Sequence, residues 1–435
     1  MANKDIFCNI PWFELNINHD GSYDLCGCQN DKIVMTELGR EWNIKRMGID
    51  DYWNSSRMRE KRRIKLGDTV DPMCRMCQMK DAAGYTSARQ KENLKSVIFQ
   101  RNFDRSFEQS PHQHYFNHSA NHDGETITGI ASLHLNIGTT CNFSCKFCPP
   151  EASSRVAQDQ RKMGWIPIDY RLEPWTQDPV AWQRFTDWFD VNYESVRVVH
   201  IIGGEPELLE RFRDLLKMFA DKNMTWLNLS FTTNGSIDYS KYHDQLKIFR
   251  RVEIGVSIET ADLANDYLRE GGSIVQILHN VDHMRTAMPE VQWTFRTVPT
   301  ALSVLRYHTL LKHALDRRIP IDASYPNRPR WMLSDLLPED LKAYTIQHLQ
   351  DFANGININE QKFNNTKNPN NIEITLKNEA ESLIRHLRRP EPKDANDLRC
   401  EMAARLNEQD ALHNKTAADY LPEMIDWLRV HGYRH

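Results

Sequence analysis

The feature that most limits what this chain can fold into is a rhythm that begins near residue 130. Short apolar runs alternate with segments of helical length: SLHLNIG (132 to 138), VRVVHII (196 to 202), WLNLSFT (226 to 232), VEIGVSI (252 to 258), VQWTFRTV (291 to 298) and IPIDASY (319 to 325). Between them lie stretches such as ELLERFRDLLKMFADK and LSVLRYHTLLKHALDR, with apolar residues at helical spacing. Strand-helix alternation of this kind builds a parallel sheet with helices on its outside. Six repeats are too few for a closed eightfold barrel. The economical fold class is therefore α/β, with an open partial (βα)6 barrel over residues 130–330. Residues 331–435 read as a C-terminal helical extension (EDLKAYTIQHLQDF, NEAESLIRHLRR, LRCEMAARL, LPEMIDWLR) with an Asn-rich loop, NNTKNPNN, inside it.

Ahead of the barrel, residues 1–100 hold a hairpin pattern, FELNINHDGSYDLCGC, in which Asp20-Gly21 separates two strand-like runs. Residues 101–129, including SPHQHYFNHSANHDGE, have the composition of a linker. Its His112, His114, His118 and His122 read as solvated, with metal ligation or substrate contact as the alternative. Four tryptophans precede the second barrel strand, Trp165, Trp175, Trp182 and Trp188. Aromatic core packing is the expectation there, and shaping of a substrate entrance the alternative.

Cysteine placement carries the chemistry. Of nine cysteines in 435 residues, eight fall in three clusters: Cys8 with Cys26 and Cys28, Cys74 with Cys77, and Cys141 with Cys145 and Cys148. Cys400 stands apart and is expected to be an ordinary buried helical residue. Without a secretion signal, clustered thiols are better read as metal ligands than as disulfides. CNFSCKFC (141 to 148) follows the first barrel strand, and loops at the C-terminal ends of such strands are where these sheets build active sites. Three thiolates hold three irons of a [4Fe-4S] cube and leave the fourth open to a small molecule, whereas electron-transfer clusters use four cysteines. A structural zinc site, which wants four closed ligands, is the alternative.

CxxxCxxC with an aromatic, Phe147, before its last cysteine resembles the signature of the radical S-adenosylmethionine (radical SAM) superfamily, whose core is a partial (βα)6 barrel. The resemblance implies that Cys141, Cys145 and Cys148 bind the catalytic [4Fe-4S] cluster. It also implies that SAM is cleaved reductively to a 5'-deoxyadenosyl radical, which abstracts hydrogen from a substrate. GGEP (203 to 206) looks like that superfamily's motif for the methionine amino group: Gly203 and Gly204 let backbone approach a ligand, and Glu205 offers a carboxylate to an ammonium. By the same resemblance Asn234 in TTNG and Ser257 in SIET are polar contacts to the cofactor, with Ser257 nearest the ribose. Arg269 in DYLREGGS matches the arginine that pairs with the SAM carboxylate in peptide-modifying members.

The resemblance extends to the N-terminal cysteines. Twelve residues separate Cys8 from Gly21 and four more separate Gly21 from Cys26, which matches half of the pattern of SPASM/Twitch domains. With Cys74 and Cys77 as a CxxC, these imply a closed auxiliary [4Fe-4S] site on Cys8, Cys26, Cys74 and Cys77. Cys28 remains an alternative to Cys26, and two thiolate pairs are also zinc-ribbon spacing. IPWFELNINHDGSYDLCGC, DDYWNSSRMRE, YPNRPRWMLSDLLPEDLK and LNEQDALHNKTAADYLPEM resemble further segments of Twitch-domain radical SAM proteins. Adjacent cysteines are common in that group where this chain has Cys26-Gly-Cys28.

Together these imply a radical SAM enzyme acting on a peptide or protein side chain, with a flavodoxin- or ferredoxin-like electron donor. Radical modification of a nucleotide, sugar or other small metabolite is the alternative, and a zinc-stabilised non-catalytic binding protein is a third. The net charge of -4 supplies no basic field, so nucleic acid is not an expected partner. No apolar run long enough to span a membrane is present, and a cytoplasmic location is expected.

Overall fold

In the computed structural model, residues 7–24, 26, 42–67, 71, 74–82, 87, 89–90, 93, 113–326, 328–356 and 371–435 are described. Cys28, His112 and most of the Asn-rich loop lie outside them. Strands run in chain order as β1 (Glu14–Ile17), β2 (Tyr23–Asp24), β3 (Ser132–Asn136), β4 (Ser144–Cys145), β5 (Val198–Ile202), β6 (Asn228–Thr233), β7 (Arg251–Ser257), β8 (Arg269–Glu270), β9 (Gln292–Thr297) and β10 (Ile321–Ala323). All six expected barrel runs form strands. They pair in parallel, in an eight-stranded sheet of order β10-β9-β7-β6-β5-β3-β1-β2.

The strand sequences explain which face is covered. Side chains alternate across a strand, so Leu133 and Leu135, Val199 and Ile201, Leu229 and Phe231, and Ile254 and Val256 share one face, all almost fully buried. Helices such as Glu210–Asp221 lay Phe212, Leu215, Leu216 and Phe219 onto the apolar sheet layer. The opposite face is polar. One row of cross-strand partners reads Asn16, His134, His200, Ser230, Glu253. Except for the buried Asn16, these are half-buried.

The expected hairpin forms around Gly21, whose backbone takes φ +91°. An added Cβ there would lie 2.7 Å from Asn43 Oδ1 and 2.9 Å from Trp175 Cβ, so glycine is required by both conformation and space. Strand β1 then pairs in parallel with β3, Glu14 opposite Ser132 through Ile17 opposite Leu135. The N-terminal module thereby extends the barrel sheet. Its Ser56–Leu66 helix is capped by the Ser55 hydroxyl, which accepts from Met58 N. That helix is anchored by Arg62, a fully buried guanidinium. Arg62 donates to Pro11 O at 2.9 Å, Asn54 Oδ1 at 3.0 Å, Gly124 O at 3.3 Å and Trp53 O at 2.7 Å.

Two expectations are corrected. The stretch read as loop holds a helix, Gln113–Asn121, because Phe116 packs edge-on against Trp12 at 5.0 Å and Phe7 at 5.1 Å. His118 and His122 stack on one another on that helix and the turn after it. Cys400 lies in a helix, Ala395–His413, but is exposed. The buried face of that helix is set instead by Leu398, Met402, Ala403, Leu406 and Asp410. Trp175, Trp182 and Trp188 meet the packing expectation: Trp175 is fully buried against Phe185, and its indole N–H donates to Asn136 O at 2.9 Å, whereas Trp165 is half-buried beneath the Arg405 guanidinium. No helix among the described residues is long and apolar enough to cross a membrane.

Arg62→Ala should destabilise the fold by at least about 3 kcal/mol in urea unfolding, because several buried acceptors lose their donor at once. The exposed neighbour Arg63, paired with Asp123 at the surface, should change stability by no more than about 0.5 kcal/mol when replaced by alanine.

Candidate functional site

Parallel strands deliver their C-terminal ends to one rim, and the loops after β3, β5, β6 and β7 carry the sequence motifs there. The cysteine loop does not stand alone on this rim. Its β4 pairs antiparallel with β8, Ser144 opposite Glu270 and Cys145 opposite Arg269, and Lys146 N donates to Leu268 O at 2.9 Å. The loop thus lies beside the arginine segment by backbone bonding.

Glycines bring the next two loops together. Gly204 N donates to Gly138 O at 3.0 Å and Glu205 N to Thr140 O at 2.8 Å. An added Cβ on Gly204 would lie 2.0 Å from Thr140 O, and one on Gly203 would lie 2.7 Å from Gly138 O. Backbone against backbone leaves no flexible atom to yield. The two glycines line the cavity, but Glu205 does not. Its fully buried carboxylate points behind the lining and accepts from Thr233 Oγ1 at 2.6 Å, Asn234 N at 2.7 Å and the Tyr239 hydroxyl. Burial pushes its pKa up despite these donors. A carboxylate has about four acceptor positions, so one remains.

Asn234 sits where the sequence places it. Its side-chain Nδ2 donates to Asn142 Oδ1 at 2.8 Å and approaches Cys141 Sγ at 3.9 Å, while its Oδ1 accepts from Ser236 N at 2.9 Å. The TTNG loop is thereby tied to the first cysteine. Arg269 Nη1 meets Glu259 Oε1 at 2.9 Å, with both side chains buried. Burial alone would lower the Arg269 pKa, but the three cysteines and Glu259 outweigh it and raise it. Glu259 is in turn held by Thr297 Oγ1 at 3.0 Å and Val298 N at 2.7 Å. The Nε of Arg269 is buried without a hydrogen-bond partner among the described residues.

One cavity of about 260 Å³ collects Cys141, Cys145, Cys148, Phe147, Gly203, Gly204, Asn234, Ser257 and Arg269. Of the residues assigned to the barrel site, Glu205 alone is set back from it. Burial pushes the Cys145 thiol up to about 11, and raises Cys141 and Cys148 as well. The lining suits a three-cysteine cluster with an amino-acid ligand beside it: three cysteines on one cavity, glycines that leave room for nothing larger, and a buried guanidinium held by Glu259.

Sequence reasoning missed Glu259, Arg296 and Asp322. Arg296 is the Cα partner of both Ser257 and Asp322, and lies across Gly255, where an added Cβ would sit 2.1 Å from its Nε. Alternation inside VEIGVS and WTFRT was the available signal, since every second residue in those strands is small or polar.

In the N-terminal module, Cys8, Cys74 and Cys77 lie within electrostatic reach of one another and of Lys65. Lys65 Nζ donates to Cys74 Sγ at 2.6 Å. Burial would lower the Lys65 pKa, but Cys74 and Asp71 outweigh it and hold the value above the usual lysine range. Lys61, one turn earlier, pairs with Asp71 at 2.8 Å, so two buried ammonium groups share one carboxylate beside the cysteines. Burial pushes Cys8 up to about 12. Cys26 follows β2, and its charge bears on the buried Tyr52 phenol.

Residues 135–300 match the family model of the radical SAM superfamily, and residues 8–78 match that of an iron-sulfur cluster-binding domain. No curated protein matches the chain. Among solved structures, Streptococcus suis SuiB bound to precursor peptide SuiA is similar at 14% identity and a TM-score of 0.37, over 66% of this chain and 62% of that one. Streptococcus suis SuiB on its own gives 13% identity and a TM-score of 0.38, over 81% and 69%. Native anSMEcpe with bound AdoMet and Cp18Cys peptide gives 15% and 0.33, over 51% and 59%. The chain spans less than two thirds of the length of the first SuiB structures it matches.

Gly204→Ala should destabilise the protein by about 1 to 3 kcal/mol by forcing the two loops apart. Gly355→Ala, where an added Cβ meets nothing within 4 Å among the described residues, should be neutral or gain up to about 1 kcal/mol. Thermal unfolding of the two variants side by side measures both.

Proposed function

We propose that this chain, whose residues 135–300 match the radical SAM superfamily and whose residues 8–78 match an iron-sulfur cluster-binding domain, is a radical SAM enzyme that modifies a peptide or protein side chain by hydrogen abstraction. The observation that carries the reading is one cavity lined by Cys141, Cys145 and Cys148 together with the glycines Gly203 and Gly204 and the buried Arg269. A structural metal site would need a fourth ligand and would have no use for either feature. When bound, the cluster on Cys141, Cys145 and Cys148 and the SAM at its open iron supply a 5'-deoxyadenosyl radical, with the electron coming from a flavodoxin- or ferredoxin-like donor.

The chain's own residues bind, orient and exclude water. Arg269, on the cavity wall, offers its guanidinium to the methionine carboxylate, and Glu259 fixes that group through Nη1. Gly203 and Gly204 admit the amino-acid end of the cofactor against bare backbone. Glu205, bound to Thr233, Asn234 and Tyr239 behind the cavity, acts by holding the TTNG loop in place. Ser257 faces the cavity for the ribose. Phe143 and Phe147 keep water from the cysteine side.

On the cavity wall, Thr232, Arg296, Asp322 and Ser324 suit a substrate bringing amides and hydroxyls, as a peptide does. The pairing of a radical SAM barrel with a cluster-binding domain supports the same reading. The auxiliary cluster is assigned to Cys8, Cys26, Cys74 and Cys77. Lys65 adds an N–H to one of its sulfurs, the kind of contact that sets cluster potential.

Anaerobic reconstitution should give a brown protein with about eight iron and eight sulfide per chain, as two cubes require. Cys145→Ala should abolish SAM cleavage, measured as 5'-deoxyadenosine formation, and retained cleavage would count against the open-iron site. Replacing Cys74 and Cys77 together should remove about half the iron; unchanged iron would refute the auxiliary ligand set. Substrate-dependent 5'-deoxyadenosine with peptides but not with nucleotides or sugars is the expected pattern, and the reverse pattern would move the substrate to small metabolites.

A further inference from the structure

The C-terminal helical extension reaches the cysteine loop at one buried point. Asp410, on the Ala395–His413 helix, pairs through Oδ1 with Lys146 Nζ at 2.9 Å, and both side chains are at most 2% exposed. Lys146 is the residue between Cys145 and Phe147. Its ammonium also lies over the Tyr267 ring, 4.1 Å from the centroid. The other carboxylate oxygen of Asp410 accepts from the Tyr267 hydroxyl at 3.0 Å, the Tyr433 hydroxyl at 2.6 Å and Ala417 N at 3.1 Å. Those four donors fill the acceptor capacity of the carboxylate.

Two of these partners belong to the two segments that build the cofactor site. Lys146 is in the cysteine loop, and Tyr267 stands two residues before Arg269. The same helix region supports both again. Gln409 donates to Lys146 O at 3.4 Å, Lys415 pairs with Glu270 at 2.6 Å, and His413 lies 3.3 Å from Asp159 on the helix after the cysteine loop. A buried ion pair is an expensive way to gain stability, since apolar residues of similar volume hold a core as well. What it supplies that apolar packing does not is a single orientation of both partners.

We propose that Asp410 is a positioning residue that clasps the cysteine loop to the Arg269 segment, so that the C-terminal extension sets the relative placement of the cluster and the cofactor carboxylate. The proposal rests on the reading of residues 141–148 as the cofactor loop. Asp410 itself touches no reacting atom and acts through Lys146 and Tyr267.

The test uses the full chain with Asp410→Asn and with the apolar double variant Lys146→Met/Asp410→Leu. Iron content should stay at the wild-type level in both. The SAM concentration for half-maximal cleavage, and for the SAM-induced change in the electron paramagnetic resonance spectrum of the reduced cluster, should rise about 10- to 100-fold. In the cluster-free chain, amide hydrogen exchange at residues 141–148 and 267–270 should quicken in both variants while the rest of the barrel keeps its protection. The double variant should regain the melting temperature of the wild type without regaining SAM affinity. Recovery of affinity and loop protection along with melting temperature would overturn the proposal, because packing alone would then suffice. Should Asp410→Asn fail to accumulate, the double variant decides by the same two measurements. If the wild type binds no SAM, the cofactor reading falls, and the exchange data still decide whether Asp410 holds the two segments together.

Discussion

The common direction of the barrel strands is the constraint on which the rest depends. Parallel strands put all their C-terminal ends on one rim, so loops from four distant parts of the chain meet without any of them being long. Hydrogen bonding between those loops then fixes the details. Gly138 and Thr140 accept from Gly204 and Glu205, and β4 pairs with β8. The rim is therefore a small secondary structure of its own, and its side chains inherit the rigidity of backbone bonding rather than of surface loops.

Electrostatics are built from buried pairs. Glu259 with Arg269 and Asp410 with Lys146 on the rim, and Asp71 with Lys61 in the N-terminal module, are each almost fully withdrawn from water. Each ion costs several kcal/mol to desolvate, and their attraction offsets that only when the remaining lone pairs and protons are satisfied. Glu259 and Asp410 meet this condition with further donors from backbone and hydroxyl groups. The Nε of Arg269 and that of Arg296, both on the cavity wall, are buried without a hydrogen-bond partner among the described residues.

Much of this was legible in the sequence. Six apolar runs became six parallel strands, and the CxxxCxxC, GGEP and TTNG stretches came to one rim because motif and strand end coincide in the chain. The polar lumen was also written there, in alternations such as LHLN and WTFRT, but apolar runs draw the eye to what is buried. Helix Gln113–Asn121 could not be read from a polar composition, because Phe116 gains its partners only in three dimensions. The inward turn of Glu205 was hidden for the same reason: its donors come from β6 and from Tyr239, about thirty residues on. The pairing of Lys146 with Asp410 spans 264 positions and has no local trace at all.

The parallel pairing of β1 with β3 has a consequence for electron movement. Cys8 and Cys26 flank the β1–β2 hairpin, and β1 pairs directly with β3, the strand that leads into the cysteine loop. Tunnelling rates fall steeply with distance, so two redox centres on a jointed pair of domains would exchange electrons in bursts as the gap opened and closed. Two clusters bound at the ends of so short a connection would keep a nearly fixed gap, and transfer between them would then be set by driving force and reorganisation energy at that distance.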